Sequence, residues 1–200
     1  AQGRVQFDAH HATLPDGSIM AIGARQSQHA LDAQSVIETL LRTTPIRVAL
    51  SGGKDSSVVM ALVMNAARSL VHAGAAIAPI HVTSANTGVE SPEVMAQIAA
   101  IHDSIRLAAD ALGIELHLHV THPNLMERWW VRILSGRKLP SYAGAQADCT
   151  VDMKVKPQER LAATLRRDLL AAGWPAPVTL TGLRFDESGR RQENMVSRGD

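Results

Sequence analysis

The chain has 200 residues and a mass of 21.4 kDa, 46% hydrophobic and only 3% aromatic; that suits one domain with a core of Ala, Leu, Val, Ile and Met between closely spaced layers, and excludes a mainly disordered chain. Twenty Lys and Arg against 19 Asp and Glu leave a formal charge of +1, which carries no global signature of binding to nucleic acid or a membrane surface. A single cysteine excludes an intrachain disulfide, no stretch approaches the roughly 20 apolar residues of a membrane span, and the first residues lack a basic-then-apolar leader, so the cytoplasm is the expected location and no membrane partner is expected.

Residues 1–30 are polar and irregular and read as an N-terminal extension, with "LPDGS" (14–18) as a turn between two short strands of a hairpin. From 31 to 200 the chain reads as one domain. "LDAQSVIETLLR" (31–42) places Leu31, Val36, Ile37, Leu40 and Leu41 on one helical face, ended by Pro45. "IRVAL" (46–50) is a short strand, and "SVVMALVMNAARSLVHAG" (57–74) a buried helix closed by Gly74. "IAPIHVTSA" (77–85) is the next strand; Ser91 and Pro92 cap and open a helix to about 112, ended by Gly113, and "IELHLHV" (114–120) is a third strand.

Asn124 opens a helix with Leu125, Trp129 and Ile133 on one face, and helical spacing places at least one of Trp129 and Trp130 in the core; 136–150 reads as a loop, Pro157 starts a helix to about 173, and "PVTLTG" (177–182) is a fourth strand. Strands alternating with helices at this spacing predict an α/β fold, a doubly wound, mainly parallel sheet of about five strands with helices on both faces. Ligands in such a sheet bind beyond the carboxyl ends of the strands, so the loops after residues 50, 83 and 181 should share one edge.

The first of those loops is "SGGKDSS" (51–57). Gly52 and Gly53 permit backbone turns that point successive amides at an anion, the following helix adds its positive end, Lys54 adds full charge, and Ser51 and Ser56 add hydroxyls. The spacing is not that of a Walker loop, because Asp55 follows Lys54. "SGGKDS" behind a strand resembles the PP-loop of the ATP pyrophosphatase superfamily, with an adenine nucleotide α-hydrolase-like fold. The resemblance implies that Ser51, Gly52, Gly53, Lys54, Asp55 and Ser56 grip the pyrophosphate end of ATP with magnesium, Asp55 contributing to the metal, and that Lys54, Asp55 and Arg184 form the catalytic set.

"SANTGVESPEV" (84–94) is similar to the loop beside the nucleotide in relatives of phosphoadenosine phosphosulfate reductase, which implies nucleotide contacts from Ser84, Asn86, Thr87 and Gly88; Asn86 stands where an Asp is common. "GLRFDESGRR" (182–191) resembles the family's Gly-x-Arg-x-x-Glu-Ser segment, with Gly182 and Arg184 at the nucleotide and charge from Arg190 and Arg191. "DCTVDMKVKP" (148–157) is similar to an element of DNA phosphorothioation sulfurtransferases of the DndC type, in which the cysteine at the Cys149 position helps hold an iron–sulfur cluster. Such a cluster usually needs four thiolates, so it requires ligands beyond these 200 residues, in a longer form of the chain, or has been lost. Ala147-Asp148 replace the family's Arg-Trp before the cysteine.

Residues 128–156 carry Arg128, Arg132, Arg137, Lys138, Lys154 and Lys156 against Asp148 and Asp152, a candidate surface for DNA, with Trp129 and Trp130 as stacking groups. His117 and His119 alternate on one strand face near His122; they read as a polar strand face rather than a metal site, with no carboxylate placed to orient the rings. The expected activity is adenylation by ATP of an oxygen, that of a DNA backbone phosphate, for sulfur insertion, with pyrophosphate and then AMP released and a sulfur donor and partner proteins of a modification complex. The alternatives are a sulfate-assimilation enzyme, reducing phosphoadenosine phosphosulfate or resembling ATP sulfurylase, and a non-catalytic ATP-sensing module.

Overall fold

A computed structural model describes residues 6–7, 11–13, 19–21, 28–136 and 150–182. Three short strands, β1 (Gln6–Phe7), β2 (His11–Thr13) and β3 (Ile19–Ala21), form an antiparallel sheet in which His11 faces Ala21 and Thr13 faces Ile19. The rest builds around a separate, wholly parallel sheet of β4 (Ile46–Ala49), β5 (Ile80–Ala85), β6 (Leu116–Thr121) and β7 (Val178–Thr181), in the order β6-β5-β4-β7. Four strands are thus described in this sheet, near the expected five.

Connections are α2 (Lys54–His72) from β4 to β5 and α3 (Pro92–Leu112) from β5 to β6; a return through α4 (Trp129–Leu134) and α5 (Lys156–Ala171) leads to β7, and α1 (Gln28–Leu41) precedes the sheet. The chain steps outward from β4 to β6 and then comes back to lay β7 on the other side of β4. The strand order therefore reverses between β4 and β7, which opens a crevice at their carboxyl ends.

Side chains alternate across the sheet, and the two faces differ in character. Ile46, Val48, Leu50, Ile80 and Val82 are at most 2% exposed and pack with Leu41, Met60, Val63, Ala66, Ala67 and Leu70 into one apolar core. Ala66 and Ala67 let α2 lie close to the strands, and each large side chain buried there contributes roughly 1.5–3 kcal/mol. The opposite face carries Arg47, His81, His117, His119, Thr121 and Thr179, set side by side by the parallel register. There Arg47 donates to Thr179 Oγ1 (3.1 Å) and to the Gln158 carbonyl of α5 (3.3 Å), while Gln158 Nε2 donates to Thr121 Oγ1 (3.1 Å).

Helix boundaries follow local chemistry. Ser91 accepts from the Val94 amide (3.3 Å), Pro92 occupies the first turn of α3, and Gly113 ends it at φ 65. Helix α2 begins at Lys54, three residues before the start expected from apolar periodicity, because Gly53 takes the N-cap position. The helix expected from Asn124 is broken: Leu125–Glu127 form a 3₁₀ turn, Arg128 is extended (φ −65, ψ 139), and α4 starts anew at Trp129. Leu125 is consequently exposed, Trp129 is half-buried and Trp130 is 61% exposed, so neither tryptophan is a core residue. Among the described residues no helix is long and apolar enough to cross a membrane.

Candidate functional site

The carboxyl ends of β4, β5, β6 and β7 lie on one edge because the strands are parallel, and the loop Ser51–Gly53 leads from β4 straight into α2. The Gly53 cap carries no side-chain hydrogen bond to the helix start. The first amides of α2 have no acceptor within the helix, and the positive end of a 19-residue helix lies at this loop. Gly52 sits at φ +78, and a Cβ there would stand 3.0 Å from Ile98 Cγ1 of α3, so the turn and the close cover both require glycine. Exposed Lys54 forms no ion pair among the described residues.

The two serines of the loop serve its shape. Ser56, buried, donates to the Gly53 carbonyl (2.9 Å) and accepts from the Ser51 amide (3.2 Å). Its remaining lone pair then takes the Ser51 hydroxyl (3.1 Å), while the Gly53 amide reaches back to Ser51 Oγ (3.4 Å). Ser56 is thus a positioning residue rather than the free donor that the motif suggested. What the loop offers an anion is the Lys54 ammonium and the positive end of α2.

Gly182, which follows β7, closes the other side of the crevice. A Cβ on it would lie 2.5 Å from the Asp55 carbonyl carbon and 2.6 Å from its oxygen, so strand end and helix start are in backbone contact across the switch point. Asp55 stands in the first turn of α2 at that contact.

The loop after β5 forms a third wall. Asn86 Oδ1 accepts from the Gly88 amide (2.8 Å), a tight side-chain turn with Gly88 at φ +77. Buried Thr87 gives both its amide (2.9 Å) and its hydroxyl to Glu90 Oε2, and Lys154, from the turn leading into α5, lies 3.4 Å from Glu90 Oε1. Desolvation alone would raise the Glu90 carboxyl, but the Thr87 hydrogen bonds and the Lys154 charge together hold it below the usual carboxylate range. Between the walls is a cavity of about 220 Å³, lined among others by Leu50, Ser51, Thr83, Glu90, Lys154 and Gln158.

Ser84 does not reach that cavity. It is buried beneath the loop, donating to the Leu50 carbonyl (2.8 Å), and so accepts from His102 Nε2 of α3 (2.9 Å). One hydroxyl hydrogen serves one acceptor, which fixes the proton of His102 on Nε2. This link pins the residue before Ser51 to α3, a support role in place of the nucleotide contact expected. His102, Glu90 and Gln158 were not singled out in the sequence. A lone histidine at core spacing, and polar residues inside ordinary helix starts, carry no local signature.

Three of the four described cations of the basic stretch have carboxylate partners, though two of them share one carboxylate. Arg132 and Lys156 (2.7 Å) both pair with Asp152, and Lys154 pairs with Glu90. Arg128 alone of these four cations has no such partner among the described residues. Arg137, Lys138, Asp148 and Cys149 lie outside the described residues, as do Arg184, Arg190 and Arg191. On the polar sheet face His117 and His119 are joined by His81, whose Nδ1 is 3.1 Å from His119 Nε2, and the Glu115 carboxylate does hold the His117 ring (3.0 Å), contrary to expectation. Among the described residues no group of three His, Cys, Asp or Glu is arranged to hold a metal ion.

The profile of the phosphoadenosine phosphosulfate reductase domain matches residues 45–200. Among solved structures, NAD+ synthetase from Burkholderia pseudomallei is similar at 19% identity over 88% of this chain and 76% of that one, with a TM-score of 0.44. No curated protein matches the sequence.

Proposed function

Because the chain belongs to the phosphoadenosine phosphosulfate reductase domain family, a nucleotide-using branch of the PP-loop ATP pyrophosphatase superfamily, we propose that it cleaves ATP between the α and β phosphates to adenylate an acceptor oxygen. The observation that carries this reading is the uncapped start of α2, opening beside Lys54 at the strand-order reversal. A pyrophosphate leaving group needs many fixed donors and positive charge. The amides after Gly53 and the Lys54 ammonium supply both.

In this reading the β and γ phosphates rest on Gly52–Lys54, and the nucleoside extends into the cavity lined by Thr83 and Gln158. The acceptor oxygen attacks the α-phosphorus and the α–β bridging bond breaks. Its electron pair leaves with pyrophosphate, while the acceptor keeps AMP. A sulfur nucleophile then takes the acceptor and expels AMP. The protein contributes position and charge neutralisation. Arg184, two residues beyond Gly182, is the catalytic cation assigned by resemblance.

Magnesium is usually held by one or two carboxylates together with substrate phosphates. Asp55, in the first turn beside the phosphate loop, fits that role, and the ion would neutralise charge on the triphosphate. An iron–sulfur cluster usually needs four thiolates, and the one cysteine of these 200 residues cannot supply them by itself, so such a cluster would require ligands from a longer form of the chain. The DNA backbone phosphate as acceptor rests on the resemblance of residues 148–157, and the pairing of Lys154 with Glu90 lowers the positive charge that favoured it.

A pyrophosphate-release assay with ATP and magnesium tests the reading with DNA, with sulfate and with no acceptor. Release that needs DNA supports the proposed acceptor; release that needs sulfate points to assimilation. Tight ATP binding with no release under any condition would refute turnover and leave an ATP sensor.

A further inference from the structure

A second pocket, of about 290 Å³, lies across the Asn86–Glu90 loop from the proposed ATP cavity, and we infer that it takes a nucleobase carrying a phosphate. The loop is its shared wall: Thr87 lines this pocket, while its hydrogen-bonded partner Glu90 lines the other. The far wall is Arg128, Trp129 and Trp130, with His122 beside them.

Three features fit that ligand. Trp130 is 61% exposed and is braced edge-on by Trp129 at 4.6 Å between ring centroids, so a rigid indole is presented to solvent. An aromatic side chain so placed is a stacking platform for a planar base. Among the described residues Arg128 is exposed without a carboxylate partner and no Asp or Glu lines the pocket, so an anion is the favoured guest. Asn86 adds polarity of fixed sense: the Gly88 amide holds Oδ1, which turns the NH₂ group into the donor left for a ligand.

The wall is built rather than incidental. Extended backbone at Arg128 interrupts what would otherwise be a continuous helix and redirects Trp129 and Trp130. Glu127, the residue before the break, is clamped by both nitrogens of Arg160 (2.8 and 2.7 Å) and also accepts from the Asn124 amide (2.9 Å). The inference rests on the ATP-pyrophosphatase reading only for its consequence, that this pocket holds the acceptor next to the α-phosphate; binding itself is independent of that reading.

Calorimetric titration of the full chain, with α,β-methylene ATP present to fill the first cavity, tests this. The probes are thymidine 5′-monophosphate, thymidine and a short single-stranded oligothymidylate. The monophosphate or the oligonucleotide should bind, with Trp130→Ala and Arg128→Ala each weakening binding about tenfold and Trp130→Phe retaining most of it. Thymidine should bind at least about tenfold more weakly than its monophosphate. Tighter binding of the strand than of the monophosphate identifies a strand as the source, and equal binding identifies the free nucleotide. No binding of either phosphorylated probe, or binding indifferent to Trp130→Ala, overturns the inference. Lys54→Ala should lose the ATP analogue yet keep thymidylate; retention of the analogue would count against the ATP cavity alone.

Discussion

Gly182 rests on the first turn of α2 so closely that a Cβ would stand 2.5 Å from the carbonyl carbon of Asp55 and 2.7 Å from the amide nitrogen of Ser56. Backbone meets backbone at this point, with no flexible side chain to yield. The contact couples the end of β7 to the loop after β4 and sets the width of the crevice in which the proposed phosphate site lies.

Gly182→Ala should therefore act on both stability and binding. Forcing strand and helix start apart should lower stability by about 1–3 kcal/mol, the usual cost of overpacking. The midpoint of urea unfolding measures the first effect, and titration with a non-hydrolysable ATP analogue the second. An alanine variant with wild-type midpoint and affinity would show that the two segments are not held in this contact.

Ser56→Ala tests whether the loop is shaped from within. The substitution strands the Ser51 amide, which now donates to Ser56 Oγ, and removes the bond to the Gly53 carbonyl. The cost should be about 1–3 kcal/mol, that of an unsatisfied buried group. Nucleotide affinity should fall with it, though Ser56 is not proposed to touch the nucleotide. A Ser56→Ala protein of unchanged stability but weakened binding would instead make the hydroxyl a direct ligand.

Much of this was legible in the sequence for a physical reason. Ser91-Pro92 and Gly113 act through local backbone chemistry, so they mark helix ends without tertiary information, whereas Pro157 marks none, because the backbone is already helical from Val151. Apolar runs such as Ile46–Leu50 mark buried parallel strands, and two glycines ahead of Lys54 mark a helix start open to anions. What was not legible depends on partners distant in sequence. Arg160 clamps Glu127 from 33 residues away and stabilises the break at Arg128, which helical spacing alone could not reveal. Glu90 pairs from 64 residues away with Lys154, a cation that looked free when counted along the chain. Ser84 faces inward because of Leu50 and His102, not because of its own neighbours in the sequence.

Glu90 should separate shape from charge at the loop after β5. In Glu90→Gln the side-chain oxygen can still accept from Thr87, but Lys154 loses its counter-charge; Glu90→Ala loses both. Analogue binding should thus weaken modestly in the glutamine variant and by about tenfold in the alanine variant, roughly the value of one to two charge-assisted hydrogen bonds. Equal losses in both would assign the effect to Lys154 alone.

The polar sheet face predicts a pH dependence. Burial, reinforced by the neighbouring His117 and His119 and partly offset by Glu115, pushes the His81 ring down to about 4 from its ordinary 6.5. The unfolded chain then binds more protons between these values, so stability should fall as pH drops through 6.5 and level off below about 4. At pH 5 the loss should be on the order of 1–2 kcal/mol, with allowance for solvent around the half-exposed His117. Urea midpoints at pH 7.5 and pH 5 measure it, and His81→Val should remove most of the difference. The same slope in the variant would place the titrating group elsewhere.

The most direct measurement of the central claim is phosphorus NMR of ATP incubated with magnesium and the acceptor that supports turnover, using the wild-type chain and Lys54→Ala. Cleavage at the α-phosphorus predicts paired growth of AMP and pyrophosphate resonances with the wild type and none with the variant. Appearance of ADP and inorganic phosphate, or turnover unchanged by loss of Lys54, would contradict the account.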